Sequence, residues 1–543
     1  MLYGYYVEKQ GEYTVNRTYD SEGNCTRITS SLGADIRHTY DREGNLQTMQ
    51  AGKSWQASWV RDNTGLEVQR TFSGGVTVST ERDGFGREVR KSVRVGGIER
   101  GAYRYEWGIT NRLLSKENEL TGTVMRYDYD RFDFLIRQET IQGSETDVIY
   151  RMPDFVGNLF ETPDKKDRKY GAGGKLLEDP DCFYHYDNEG NLVFREFKEL
   201  RGSDIRYDRK RMKKERGISF LATGTGWNYK WNSNGTLKKV IRPDGRPVEF
   251  QYDALGRRTS KQYFGKKTRW IWNGNVPLHE WSYKVTDEQS NEEENIQKEP
   301  TEDIITWVFE VGTLIPTAKM LDSKQHSIVS DHLGTPIQMY DEQGNKIWDC
   351  ILNIYGKVTS FKGSSLGDCP FRFQGQYEDE ETELYYNRFR YYSPNLGNYV
   401  SQDPIEFAGN NPTFYGYVYD TNSGLDLFGL NIVTVYHYTS KKSYNKISSQ
   451  SPYVFKASIP KKGNPKGVYV TTKSPEILAK NNNGYKKLGL TGNKSSHFFE
   501  IQIDDSKLKS LNGDRGQFIK YIDGDVEIDR SSVTRHGETP KIH

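Results

Sequence analysis

Few side chains in this 543-residue chain stand in patterns that could do chemistry, and spacing sets most of those patterns aside. Cys25, Cys182, Cys350 and Cys369 lie far apart with no CxxC pair, which reads as scattered thiols rather than a disulfide frame or a zinc site. His437, His497, His536 and His543 have no ligand spacing with Cys or Asp, so no metal is expected. The Gly-rich stretch Tyr170–Lys175 lacks a Gly-Lys-Ser/Thr element and a surrounding βαβ pattern, which makes it a turn. What remains is a short set. His437 sits near the end of the β-branched run Ile432–Thr439, next to Tyr438 and Thr439; Tyr469 lies in a second such run, Gly467–Thr472. Asp525 and Glu527 lie in a late acidic run, and Asp403 and Asp426 lie further upstream. On residue types alone, His437 or His497 with a Lys would serve as the acid–base pair of a metal-independent RNase.

The elements that must position these groups are predominantly β. Aromatics reach 13%, with 37 Tyr, 24 Phe and 10 Trp, which argues against disorder. Aliphatic residues are too sparse for the buried Val/Ile/Leu strands of a doubly wound α/β enzyme, and mean hydropathy is −0.84. Tyr, Trp, Thr and 52 Gly suit a chain of strands and turns. The most apolar stretch, 304–316, is too short to span a bilayer and carries Glu310; the N-terminus has no secretory signal pattern.

A repeat governs the first half. Asp20, Asp41, Asp62 and Asp83 recur at a step of 21 residues, each followed three residues later by Gly. The same step joins Asp187 to Asp208, and Asn232 to Asp253. In each unit an aromatic or Arg ends a strand, Asp starts a turn by bonding backbone ahead, and Gly supplies positive φ. A lone hairpin cannot bury its apolar face, so successive units must stack. These aspartates are therefore turn formers.

These units resemble the YD repeats of the Rhs and teneurin families, which implies a hairpin spiral closing into a β-shell. Asp331-His332-Leu333-Gly334-Thr335-Pro336, Phe371–Tyr377, Tyr385–Tyr392 and Ser401–Ile405 are similar to the Rhs-associated core. The expected layout is a shell over 1–284, an acidic solvated loop over 285–303, the core over 304–430 and a separate domain over 431–543. Asp426-Leu427-Phe428-Gly429-Leu430 resembles the motif that closes Rhs cores, with Leu427 where the motif has Pro. The resemblance implies aspartyl self-cleavage between Leu430 and Asn431, with Asp403 as the partner carboxylate. Two such carboxylates in a closed shell would share a proton, one acting as acid and one as base.

Composition changes after Leu430. Residues 431–543 hold 19 Lys/Arg against 10 Asp/Glu, whereas residues 1–430 carry an acidic excess of seven. The pattern is a small α+β domain: the His437 strand, a helix over 441–447, the Tyr469 strand, Ser474 and Pro475 opening a second helix, a strand over 496–503 and the late acidic strand. That order resembles ADP-ribosyltransferase toxins of the His-Tyr-Asp/Glu class. The resemblance implies NAD as substrate, with His437 on the ribose, Tyr469 on the nicotinamide, Tyr438 and Thr439 beside them, and Glu527 ahead of Asp525 as the catalytic carboxylate. A carboxylate would stabilise the oxocarbenium-like transition state, and an aromatic face suits the cationic nicotinamide.

The whole reads as a polymorphic toxin: a secreted effector without a signal peptide, acting in the target-cell cytoplasm on a protein or RNA. Its expected partners are that macromolecule, a cognate immunity protein and a secretion-apparatus component, with no membrane. The rival readings are the RNase cargo and a non-enzymatic YD-repeat binding or adhesion protein.

Overall fold

A computed structural model describes residues 4–63, 65–109, 111–201, 210, 213–214, 224–285, 299–322, 324–404, 413–430, 432–450, 453–457, 466–471, 475, 495–504, 509–510, 519–528 and 532–539. The chain is mostly β. Fourteen strands from Tyr5–Gln10 to Glu145–Tyr150 form one antiparallel meander in strict sequence order, and sixteen more from Lys169–Tyr170 to Val358–Lys362 form a second. The repeat explains the regularity. In the turns at Asp20, Asp41, Asp62 and Asp83 a carboxylate oxygen accepts the backbone N–H four residues on, at 2.7–3.1 Å. Gly44 adopts φ +83°, which an L side chain would strain. A bulge precedes each of these turns, as between Thr39 and Tyr40, and adds twist to the sheet.

Alternation along each strand leaves one aromatic-rich face that a single sheet cannot cover. The two meanders cover each other. Their shared core joins Trp55, Trp59, Tyr103 and Leu135 of the first to Trp281, Val308, Val329 and Tyr340 of the second. Tyr13 meets Trp281 edge-on at 5.7 Å, and Trp55 Nε1 donates to Ser327 Oγ at 3.0 Å. Each buried aromatic removes on the order of 150–250 Å² from water, roughly several kcal/mol at ~25 cal/mol/Å². Tyr170–Lys175 is a turn, with Gly171 N–H donating to Lys175 O at 2.8 Å. Of the 285–303 loop, residues 286–298 lie outside the described residues; Glu299 accepts from Tyr283 Oη and pairs with Arg269.

After the second meander comes a four-stranded sheet, Tyr377–Asp379, Leu384–Asn387, Arg390–Ser393 and Asn398–Tyr399. Its Leu384, Tyr386 and Tyr391 pack on Trp227, Trp270 and Trp272 of the meander.

The C-terminal domain has its own core. Its antiparallel six-stranded sheet runs in the order Lys509–Ser510, Ile519–Asp523, Gly467–Thr471, Ile432–Thr439, His497–Asp504 and Val533–Glu538. A two-stranded ribbon, Tyr453–Phe455 with Val526–Ile528, packs over it, beside the helix Lys441–Ser448, whose N-cap is Ser440. The expected helix at Ser474–Pro475 lies outside the described residues apart from Pro475. No helix among the described residues is long and apolar enough to cross a membrane.

Candidate functional site

The described residues form two constellations. The first lies at the end of the core, and Arg390 organises it. Its strand is buried between aromatic neighbours, so the guanidinium has no access to water and must find all its partners inside. One nitrogen, Nη2, lies 2.9 Å from Asp403 Oδ2 and 3.2 Å from Asp426 Oδ2, and all three side chains are at most 1% exposed. The guanidinium sits 3.7 Å above the Tyr399 ring, and its Nε donates to the Gly429 carbonyl.

Asp426 reaches onward along the chain: Leu430 N–H donates to its Oδ1 at 2.8 Å. Tyr399 Oη donates to Oδ2 at 2.7 Å. Asn387 Nδ2 donates to the Asp426 carbonyl at 2.8 Å and to Tyr399 Oη at 2.7 Å. The segment 426–430 thus wraps Arg390. Gly429, at φ +68°, has room only for a hydrogen, since a Cβ would lie 2.8 Å from Asn387 O. Leu427 is buried against Val276 and Leu314, so an apolar contact holds the motif's Pro position here. Asn431 lies outside the described residues.

Asp403 and Asp426 are thus in one cluster. Arg390, Tyr399 and Asn387 were not singled out from the sequence. The signal for Arg390 was its place in Tyr385–Tyr392, where a charged residue inside an aromatic run needs a buried counter-charge.

The second constellation lies in the C-terminal domain. His437 Nδ1 donates to the Tyr469 carbonyl at 2.9 Å, which fixes the tautomer and leaves Nε2 as an acceptor. Burial holds this imidazole below its ordinary pKa, opposed by that hydrogen bond, so it is neutral near pH 7. The two rings leave the sheet on opposite faces. Val435, Val468 and Val470 point into the domain core; His437 is in phase with Val435, and Tyr469 is out of phase with Val468 and Val470. His437 meets Phe455 edge-on at 5.0 Å, whereas Tyr469 stacks on Tyr521 at 5.9 Å. Burial, then Tyr521, raises the Tyr469 phenol pKa. Tyr438 and Thr439 are buried, pairing across the sheet with Phe498 and His497.

Glu527 is exposed on the ribbon opposite Val454, between the buried Val526 and Ile528. Asp525 is exposed as well. It accepts from Lys456 Nζ and Ala457 N–H, both at 2.8 Å, and these hold its carboxyl below the usual range. Neither carboxylate points into the row of rings around His437. That row continues through Phe499 to His536, register partners on neighbouring strands. Tyr444 Oη and Tyr453 Oη lie 2.7 and 3.2 Å from the two His536 nitrogens. Three separate strands supply this row, so no spacing in the sequence announced it.

A cavity of about 1630 Å³ separates this domain from the meanders. Glu500, Arg535 and His536 border it from the domain, and Arg17, Glu67 and Arg269 border it from the meanders.

These features define a hairpin-repeat shell that ends in a buried acid–guanidinium cluster and carries a C-terminal domain with a core of its own. Residues 64–423 match the family model described as the teneurin YD-shell, and the chain belongs to that family. Residues 435–531 match the model described as HYD1 signature containing ADP-ribosyltransferase.

Among curated proteins the chain is similar to toxin protein Tse5 of Pseudomonas aeruginosa, 26% identical over 463 residues, covering 74% of this chain and 35% of that protein. It is similar to the probable deoxyribonuclease RhsB of Dickeya dadantii, 27% identical over 440 residues, covering 77% and 27%. It also matches double-stranded DNA deaminase toxin A of Burkholderia cenocepacia, 26% identical over 410 residues, covering 71% and 27%. The chain therefore spans about a third or less of the length of these relatives. Among solved structures, the Tc holotoxin pore of Photorhabdus luminescens shares the shell fold at 18% identity and TM-score 0.53, over 77% of this chain and 21% of that one.

Proposed function

We propose that the chain is a Rhs-type polymorphic toxin whose shell cuts itself after Leu430 and whose C-terminal domain transfers ADP-ribose from NAD to a macromolecule. The transferase reading rests on the HYD1-type match over 435–531, which contains His437 hydrogen-bonded to the Tyr469 strand. His437 would hold the ribose through Nε2, and Tyr469 would offer a face to nicotinamide. Glu527, with Asp525 as the alternative, would stabilise the oxocarbenium-like ribose once the ribbon turns a carboxylate towards it.

Self-cleavage would proceed as an aspartyl hydrolysis. Water adds to the Leu430 carbonyl carbon while one carboxylate takes its proton. The C–N bond to Asn431 then breaks as the other carboxylate protonates the leaving nitrogen. Two buried carboxylates facing one guanidinium carry one uncompensated charge, which a shared proton removes.

An acidic immunity protein would cover the basic domain, and a secretion apparatus would deliver the effector to the target-cell cytoplasm. The RNase alternative draws on the shell relatives. A 440-residue match to a probable deoxyribonuclease cannot fit within residues 431–543, so similar shells accompany different activities.

The test is the full chain incubated with labelled NAD and cell lysate, beside His437→Ala, Glu527→Ala and Asp525→Ala. Label on protein or RNA that disappears with His437→Ala and with one of the carboxylate variants supports the transferase. Killing without NAD turnover sinks it and promotes the nuclease.

A further inference from the structure

We propose that Tyr399, aimed by Asn387, is a positioning residue for the cut after Leu430: its hydroxyl fixes Asp426 as the carboxylate that takes the proton from water. This rests on the self-cleavage reading above. The direction of each hydrogen bond follows from the donors available. Asn387 Nδ2 can only donate, and it meets Tyr399 Oη at 2.7 Å, so the phenol oxygen accepts there. Its single proton then points to Asp426 Oδ2, 2.7 Å away. The same Asn387 nitrogen holds the Asp426 carbonyl at 2.8 Å, so one amide sets both the backbone of Asp426 and the phenol that meets its side chain.

Asp426 receives donors on both oxygens: Leu430 N–H on Oδ1, and Tyr399 Oη with Arg390 Nη2 on Oδ2. Three donors thus converge on this carboxylate, which leaves it to act as an acceptor. Burial, with Asp426 beside it, pushes the Tyr399 phenol well above its ordinary range, so it keeps its proton and stays a donor. Among the described residues, the charged or titratable groups facing Asp426 are Arg390, Asp403, Tyr399 and Tyr417. Asp403, on the same Arg390 nitrogen, then carries the proton that leaves with the Asn431 amine. In the balanced step, water supplies hydroxyl to the Leu430 carbonyl carbon and a proton to Asp426. Asp403 protonates the departing nitrogen, and the products are a Leu430 carboxyl group and an Asn431 amine.

Tyr399→Phe separates this role from simple packing, because the ring that lies under the Arg390 guanidinium stays and only the O–H goes. The full chain is made by cell-free synthesis, and its cut is timed by gel from acid to neutral pH. We expect Tyr399→Phe to slow the cut at least tenfold, about 1.4 kcal/mol, and to move the acid limb of the rate profile to higher pH. Asn387→Ala, which leaves the phenol unaimed, should move the profile in the same direction. A protease-resistant shell certifies that each variant has folded, and either variant alone decides the matter. Parental rate and profile in a folded variant overturn the proposal. A parent chain that never cuts overturns the self-cleavage reading itself.

Discussion

The junction cluster and the C-terminal site differ in how they hold their charged groups. At the junction the side chains of Arg390, Asp403 and Asp426 are at most 1% exposed, and backbone groups of Gly429 and Leu430 add hydrogen bonds to the cluster. In the C-terminal domain His437 is half-buried, Glu527 and Asp525 face solvent, and Tyr469 leaves the sheet on the far side from His437. The contrast matches the substrates proposed for them. A site that acts once on its own chain can be built closed, because the substrate folds into place with it. A site for a diffusible dinucleotide must keep an entrance, so its groups close up only around the ligand.

Removing one cation from each site should affect the two very differently. Arg390→Met leaves two buried carboxylates without their counter-charge, which should cost about 3–5 kcal/mol and abolish the cut. Lys456→Met, at the exposed Asp525 pair, should leave the melting temperature unchanged. Thermal melts of both variants, run beside a gel assay for the cut, test this. An Arg390 variant that melts like the parent would mean the cluster is not the closed charge site described here.

Acid should weaken the seam between the meanders. His38 and His279 belong to the meanders, and burial lowers each from 6.5 to about 4. His279 bridges the two sheets, with Nε2 2.6 Å from Ser30 Oγ and Nδ1 3.1 Å from Thr306 Oγ1. An imidazole with a depressed folded pKa binds its proton more readily in the unfolded chain. Its stabilisation is therefore full above about 6.5 and is lost as pH falls towards about 4. The loss should reach on the order of a few kcal/mol for the pair. The urea midpoint should be lower near pH 4.5 than at neutral pH, and His279→Gln should flatten the dependence.

A more local effect is expected at Gly429. Gly429→Ala forces φ +68° on an L residue and presses a Cβ against Asn387 O, a cost of about 1–3 kcal/mol. It should slow the cut measurably while the meanders melt as before; a parental rate would mean that the 426–430 wrap can loosen without consequence.

Much of the fold was legible because it is local. The Asp-x-x-Gly step, the Asx bonds and the bulges sit within a few residues of one another, so the hairpins could be read from type and spacing. The strands of His437 and Tyr469 and the helix after Ser440 were legible for the same reason. The sites were legible only in part. Asp403 and Asp426 stood out through a motif, yet Arg390, Tyr399 and Asn387, which complete that cluster, read as ordinary members of an aromatic core strand and its neighbours.

By itself, then, the sequence determined the β class, the repeat, the change of character after Leu430 and the strand that bears His437. Those depend on propensity, turn chemistry and charge, which act over a few bonds. The tertiary structure alone decided which meander covers which, that Arg390 bridges two carboxylates distant in sequence, and that the rings of His437 and Tyr469 part to opposite faces. The physical reason is that burial and hydrogen-bond satisfaction are properties of the packed chain. A buried guanidinium takes whichever carboxylates the folded shell brings to it, and strand phase is set by pairing across the sheet.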